Sequence, residues 1–317
     1  MSRDLADGRC SSVDARPATR GRRRPAGTKS ERAKLSIMIR TAARRRPFAQ
    51  VDVFSAVPYA GNPVAVVLDA AGVSDADMVR FAAWTNLSET TFVLPATEPA
   101  ADYRLRIFTT GSELPFAGHP TLGSAHAWLE AGGTPKDGRS PVQQCGIGLV
   151  TIQQGADGLA FATPPRLRSG PLQPTEFARA LAILRIRPDD VMDAQWVDNG
   201  PGWMAVLLRS ATAVLAVIPD PLLLAEAKIG LIGPYPAGSD VDFEVRAFHG
   251  GVEDPVTGSL NASLGQWLIE SGRAPLCYVA GQGTALGRTG RVQVRSVDGQ
   301  VWVGGRCNTC ISGMVDL

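Results

Sequence analysis

Alternation of apolar and polar residues marks strands along much of the chain, beginning at Phe48. "FAQVDVFSAV" alternates, with Val51, Val53 and Ala56 marking a strand. A Gly61-Asn62-Pro63 turn follows, then "VAVVL" as a short buried strand. "SDADMVRFAAW" switches to helical spacing, with Ser74 as N-cap, Asp77 three residues on, and Met78, Phe81 and Ala82 on the apolar face. "ETTFVLP" and "DYRLRIFT" return to strand, the second with Arg104 and Arg106 on a wet face. A helix is predicted from Pro120 to Gly132-Gly133, with strands at "GLVTIQQ" and "LAFATPP" beyond it. The second half reads in the same style. It has a helix at "PTEFARALAIL", strands at "WMAVLLRS" and "DFEVRAF", a helix after Pro255, and closing strands "RVQVRS", "QVWVGG" and "CISGMVDL". Many short strands and few helices, arranged twice, predict an α+β protein of two similar domains.

Composition narrows the class. The chain has 317 residues, 44% hydrophobic and 20% charged, which is globular in character. No apolar run approaches the ~20 residues of a membrane helix. Five cysteines, at 10, 145, 277, 307 and 310, are scattered and odd in number, which fits a reducing cytoplasm better than a disulfide framework. The net charge of +2 hides an asymmetry. Residues 1–46 carry twelve Arg and two Lys against four acids, net +10, whereas the remainder has 18 basic and 26 acidic residues, net −8. A mildly acidic body argues against nucleic-acid binding. Residues 1–47, poor in apolar positions, are expected to be a disordered Arg-rich extension. Its competing readings are a transit peptide, a charge tether, or an upstream stretch without function ahead of a true start near Met38. We favour the last, because no apolar signal core is present.

A local repeat carries the candidate chemistry. Residues 119–124 read His-Pro-Thr-Leu-Gly-Ser and residues 254–259 read Asp-Pro-Val-Thr-Gly-Ser. Both have the form X-Pro-x-x-Gly-Ser, 135 residues apart, each after a strand-like segment and each opening a helix. Proline suits the first helical turn, which places His119 and Asp254 at or near the N-caps. Glycine permits close approach, and free N–H groups at a helix mouth favour anions. Two such mouths facing each other would bind a carboxylate between two titratable groups.

The motifs "VDVFSAVPYAGNPVAVVLD", "NLSETTFVLP", "ELPFAGHPTLGSA", "VEDPVTGSLNASLG" and "AGQGTALGRTGRVQV" resemble, in this order, the PhzF-like phenazine biosynthesis isomerase family. The resemblance covers residue 48 to the C-terminus. It implies two pseudo-symmetric domains of diaminopimelate epimerase-like fold, each a β-sheet wrapped around a central helix. We expect one domain over 48–168 plus 305–317 and the other over 169–304. It also implies a homodimeric isomerase without cofactor or metal, moving a proton on a small, cyclic carboxylic acid. By motif, Glu89 is the expected acid/base, with His119, Asp254 and Ser259 holding substrate and relaying protons. Gly118, Gly123, Ser124 and Gly258 are the expected substrate-binding positions. Two alternatives remain open: an amino-acid racemase or epimerase working without thiols, and a non-catalytic binding protein of the same fold.

Each residue has an ordinary reading beside the functional one. A glutamate at a strand start is commonly a surface residue, whereas apolar neighbours would raise the Glu89 pKa into a range useful for proton transfer. Asp254 could be only a helix cap, and His119 only a turn residue. Glu253 and Asp254 cannot share a face in extended chain, so one enters the cleft and the other turns away. Glu113 is read as holding its loop and His126 as packing, and His249 is assigned no role. Cys307-Asn-Thr-Cys310 resembles a redox or zinc motif, but lies between strand-like segments and lacks a second pair. Gly281-Gln282-Gly283 reads as a turn rather than a dinucleotide fingerprint.

Overall fold

The structure is a computed structural model that describes residues 43–317. The first half holds β1 (Arg45–Val53), β2 (Asn62–Val67), α1 (Asp75–Thr85), β3 (Glu89–Pro95), β4 (Tyr103–Phe108), β5 (Glu113–Leu114), α2 (Gly118–Glu130), β6 (Val142–Cys145), β7 (Gly148–Gly155) and β8 (Gly158–Ala162). The second holds β9 (Arg168–Pro171), α3 (Pro174–Leu184), β10 (Val191–Asp198), β11 (Met204–Leu208), α4 (Ala211–Ala216), α5 (Pro221–Leu224), β12 (Lys228–Pro234), β13 (Phe243–His249), β14 (Val252–Asp254), α6 (Gly258–Glu270), β15 (Cys277–Gln282), β16 (Gly290–Val297), β17 (Gln300–Gly305) and β18 (Cys307–Asp316).

Strand pairing repeats step for step. In the first half β1–β2 is antiparallel, β2–β3 parallel, β3–β4 and β4–β5 antiparallel, β4–β6 parallel, and β6–β7–β8 an antiparallel meander. In the second half β10–β11 is antiparallel, β11–β12 parallel, β12–β13 and β13–β14 antiparallel, β13–β15 parallel, and β15–β16–β17 antiparallel. The halves join where their last strands, β8 and β17, pair with Phe161 opposite Val303. After β17 the chain returns to the first half, and β18 pairs along the whole of β1, as β9 pairs with β10 in the second. We propose that the domains divide along these lines, close to 168/169 and 304/305.

Each sheet wraps one helix. Nine residues of α2 and nine of α6 are buried, on every side of the helix. A surface helix would bury only a stripe. Both helices lie in one continuous core with Phe161, Val245, Val294 and Val303.

The internal repeat is real, but its register differs from the sequence reading. The helices begin at Gly118 and Gly258, with N-caps Ala117 and Thr257, and not at Pro120 and Pro255. Aligning these starts offsets the halves by 140 residues rather than 135. "RIFTTGSELPFAGH" then lies over "RAFHGGVEDPVTGS". The structure supports this register with matched ion pairs. Arg106 holds both carboxylate oxygens of Glu113 at 2.7 and 2.6 Å, and Arg246 holds those of Glu253 at 2.9 and 2.7 Å. Each fork fastens the hairpin that feeds a central helix. Glu113 therefore holds its loop as expected, and of the two adjacent acids Glu253 is the one that turns from the cleft, to Arg246.

A second correction concerns the N-terminus. Order begins before Phe48: Arg45, Arg46 and Pro47 pair with Asp316, Val315 and Met314. Arg46 is buried, giving its guanidinium to the carbonyls of Leu317 and Asp69. Charge density suggested disorder here, yet a ten-residue β18 offers a template that satisfies the backbone of any partner segment. The rest of the expected disordered extension lies outside the described residues. A chain starting at Phe48 should melt about 5–10 °C below one starting at Ala43, for a loss of about 2–4 kcal/mol in buried hydrogen bonds. Equal melting curves would show that residues 43–47 add nothing.

Candidate active site

The two central helices meet end to end. A Cβ built on Gly258 would lie 3.1 Å from Gly118 Cα and 3.2 Å from His119 N, and one on Gly118 would lie 2.7 Å from a ring carbon of Phe161. A side chain on either residue would have to displace its neighbours across this seam. Neither helix has a side-chain cap, so first-turn N–H groups remain at both mouths. Their dipoles converge with positive ends together, an arrangement that favours an anion.

Glu89 arrives at this seam on the first residue of β3, opposite Val64 of parallel β2. The approach is set by Asn86, which ends α1 in the left-handed conformation with φ 56°. Glu89 Oε2 stands 3.3 Å from His119 Nε2, yet neither atom completes a hydrogen bond. Burial, followed by the negative charge of Asp254, pushes the Glu89 pKa up to about 8. Burial also drives His119 down to about 3, against the pull of the Pro63 carbonyl. At neutral pH the pair is therefore a carboxylic acid beside a neutral imidazole.

His119 is the second residue of α2, inside the helix rather than its cap. Asp254 is likewise no cap, because it ends β14 four residues before α6 starts. Its carboxylate accepts from Asn62 Nδ2 at 3.0 Å and Thr257 Oγ1 at 2.5 Å. Burial raises its pKa, and the Thr257 and Asn62 donors and the charge of His249 oppose that rise. Ser259, the counterpart of His119 in the second half, accepts from Trp203 Nε1 at 3.0 Å, and its carbonyl accepts from Asn199 at 3.0 Å. His249 packs edge-on to Trp203, with ring centroids 6.1 Å apart.

Glu89, His119 and Asp254 thus meet at the seam of Gly118 and Gly258, with Ser259 beside it on α6. Gly123 and Ser124 do not join them. A Cβ on Gly123 would meet Val64 Cγ1 at 2.4 Å, and Ser124 is bonded at 2.8 Å to Thr91 Oγ1 in the core. Their glycine and serine were matched to Gly258 and Ser259 by the 135-residue register, and the true counterparts are Gly118 and His119. Sequence reasoning missed Asn62, Trp203, Thr257 and Gln282. Asn62 had a signal, since it lies inside the "YAGNPVAVV" motif. Among the described residues the cysteines are free and lie on strands, Cys145 on β6, Cys277 on β15, and Cys307 and Cys310 on β18, so no thiol pair faces the seam. No cluster of described residues has the make-up of a metal site. No described helix is long and apolar enough to cross a membrane.

A doubled β-sheet wrapped on two end-to-end helices is a mixed α+β fold, shared with PhzF-family structures and, at a TM-score of 0.56 and 14% identity, with a probable proline racemase of Agrobacterium radiobacter. The phenazine biosynthesis-like (PhzC-PhzF) family profile matches residues 51–313, and the chain belongs to that family. It is 40% identical to antisense-enhancing sequence 1 of Schizosaccharomyces pombe, over 84% of this chain and 97% of that protein. It is 34% identical to the trans-2,3-dihydro-3-hydroxyanthranilate isomerase of Pseudomonas fluorescens, over 70% of this chain and 80% of that enzyme. The Bacillus anthracis PhzF-family crystal structure superposes with a TM-score of 0.74 at 22% identity, covering 86% of this chain and all of that one, and shows the shared fold. The protein is an isomerase of this family.

Two outcomes test the site. The Glu89 carboxyl binds its proton more tightly in the fold (about 8) than at its ordinary 4.5. Below 4.5 both states are protonated. Between the two values only the unfolded chain sheds its proton, so stability falls with rising pH by up to ~1.4 kcal/mol per pH unit. Glu89→Gln escapes this loss, so its melting temperature should gain on wild type steadily from pH 5 to pH 8. A difference that stays flat with pH would place Glu89 in water. Gly258→Ala should cost about 1–3 kcal/mol by denaturant titration, because backbone atoms of α2 must move to admit the methyl.

Proposed function

We propose that the protein catalyses a cofactor-independent proton shift on a small, cyclic carboxylic acid, with Glu89 as the group that takes and returns the proton. The observation that carries this reading is the unpartnered Glu89 Oε2, buried beside His119 Nε2 between two uncapped helix mouths. An unsatisfied buried oxygen costs stability, and a site keeps one where a ligand will meet it. Substrate carboxylate at the two helix N-termini would bring an adjacent C–H toward Glu89. The ionised carboxylate removes that proton, giving a delocalised enolate or dienolate. Neutral His119 donates to, or accepts from, the developing oxygen without adding a charge, and Asp254 and the Ser259 hydroxyl orient the polar groups of the ring. Protonated Glu89 then delivers the proton to a different carbon, and the enol product becomes a ketone. The substrate of the Pseudomonas relative, a ring acid, is of this chemical kind.

Glu89 and His119 have side chains only 13% and 6% exposed, so the halves must part to admit substrate. Homodimer formation and a cytoplasmic setting complete the reading, supported by the family resemblance and the free cysteines. Because Glu89 acts first as a base, kcat/KM should rise with pH through about 8 and then level. Glu89→Gln should lower turnover and solvent-deuterium incorporation into the carbon skeleton by ~10²–10⁴-fold. Deuterium entering at the wild-type rate would remove Glu89 from the chemistry. Inversion at a single carbon, read by chirality of the recovered ligand, would make the reaction a racemisation.

A further inference from the structure

Gln282 ends β15 inside the motif "AGQGTALGR", and none of the roles above uses it. It is fully buried beneath the mouth of α6. Its Oε1 accepts from the Thr257 backbone N–H at 3.0 Å and from Asn261 Nδ2 at 2.8 Å. Its Nε2 donates to the Asp254 carbonyl at 3.2 Å and to Thr257 Oγ1 at 3.1 Å. The orientation of this amide is forced. A backbone N–H only donates and a carbonyl only accepts, so the oxygen must face Thr257 N and the nitrogen must face Asp254 O.

Direction then propagates. Thr257 Oγ1 already holds an N–H from Gln282, and its own proton goes to Asp254 Oδ2 at 2.5 Å. The other Asp254 oxygen is served alike. Asn62 Nδ2, oriented by the Val256 carbonyl at 2.9 Å, donates to Oδ1 at 3.0 Å. Both oxygens of Asp254 therefore receive hydrogen bonds, and a proton on either would meet a donor. The titratable groups near it come from four elements: Glu89 on β3, His119 on α2, His249 on β13 and Glu253 on β14. Glu253 is neutralised by Arg246, and burial holds His119 uncharged. The charge on Asp254 is thus supported first by the Thr257 donor, in a chain that starts at Gln282, and then by the charge of His249 and the Asn62 donor.

We propose that Gln282 is a positioning residue of the active site: through Thr257 it fixes Asp254 as an acceptor-only carboxylate, so that the one proton of the Glu89–Asp254 pair resides on Glu89. This deepens the reading of Glu89 as proton carrier and rests on it. Glu89 Oε2 has no donor at all, whereas Asp254 has two, so the split of charge follows from hydrogen-bond geometry. Loss of the Thr257 donor would move the proton toward Asp254 and release Glu89 to ionise at lower pH.

The test is infrared titration of buried carboxylic-acid C=O absorption in the purified protein, which needs no substrate. The Glu89 band is identified by its loss in Glu89→Gln and any Asp254 band by its loss in Asp254→Asn. Wild type should lose the Glu89 band as pH rises through about 8. In Thr257→Val and Gln282→Met that loss should come at least one pH unit lower, an about tenfold weaker hold on the proton, with an Asp254 band appearing. Thr257→Ser, which keeps the hydroxyl, should behave as wild type. The Thr257 side chain makes no helix-cap bond, so Thr257→Val carries the test even if Gln282→Met fails to fold. A Glu89 band titrating at the wild-type pH in folded Thr257→Val overturns the role of Gln282 and leaves Glu89 as proton carrier. A wild-type protein with no band that disappears in Glu89→Gln overturns both.

Discussion

The molecule is organised around one close approach, the contact of Gly118 with Gly258. Two helix N-termini can be brought together only where no side chain intervenes, and a Cβ on either residue would press into the opposite backbone or into Phe161. Much of the rest serves that contact. Arg106–Glu113 and Arg246–Glu253 fasten the hairpins that aim the helices. The β8–β17 ladder joins the sheets that surround them, and the return of β18 onto β1 closes the first half after the second is complete. The seam yields two sets of unpaired N–H groups and a positive potential in a place that water scarcely reaches.

The lack of water accounts for the charge states around the seam. Desolvation opposes every charge: it neutralises His119, keeps Glu89 protonated to about pH 8, and raises Asp254 as well. Hydrogen-bond donors, together with the charge of His249, distinguish the two carboxyls. Asp254 has Asn62 and Thr257, while Glu89 faces an imidazole with which it forms no bond. Two acids in one dry pocket thus differ in charge, with Asp254 held as an acceptor and Glu89 left to carry a proton.

The two halves share this scaffold but not its chemistry. Under the 140-residue register His119 corresponds to Ser259, and Leu114 corresponds to Asp254. An imidazole and a hydroxyl stand at equivalent helix positions, and the acidic partner beside them comes from β3 in one half and from β14 in the other. The mouth is thus symmetric in its backbone and asymmetric in its side chains.

Much of the fold could be read from the chain alone. Period-two segments located most strands, and Ser74 capped α1 as expected, its oxygen accepting from Asp77 N at 3.2 Å. The motifs around Glu89, His119, Asp254 and Ser259 pointed to residues that the fold brings to one seam, because motifs depend on local residue type and order. Register was not local. X-Pro-x-x-Gly-Ser matched three letters over six positions, but helix starts are fixed by where the chain can pack against its counterpart, and that moved the alignment by five residues and removed Gly123 and Ser124 from the site. The strand over Arg45–Pro47 was hidden for the same reason, since its partner lies some 270 residues away in β18. The direction of the hydrogen bonds from Gln282 to Asp254 was beyond any pattern in the sequence. Composition and periodicity record what each segment prefers, whereas pairing, desolvation and proton placement are set by atoms that meet only when distant segments fold together.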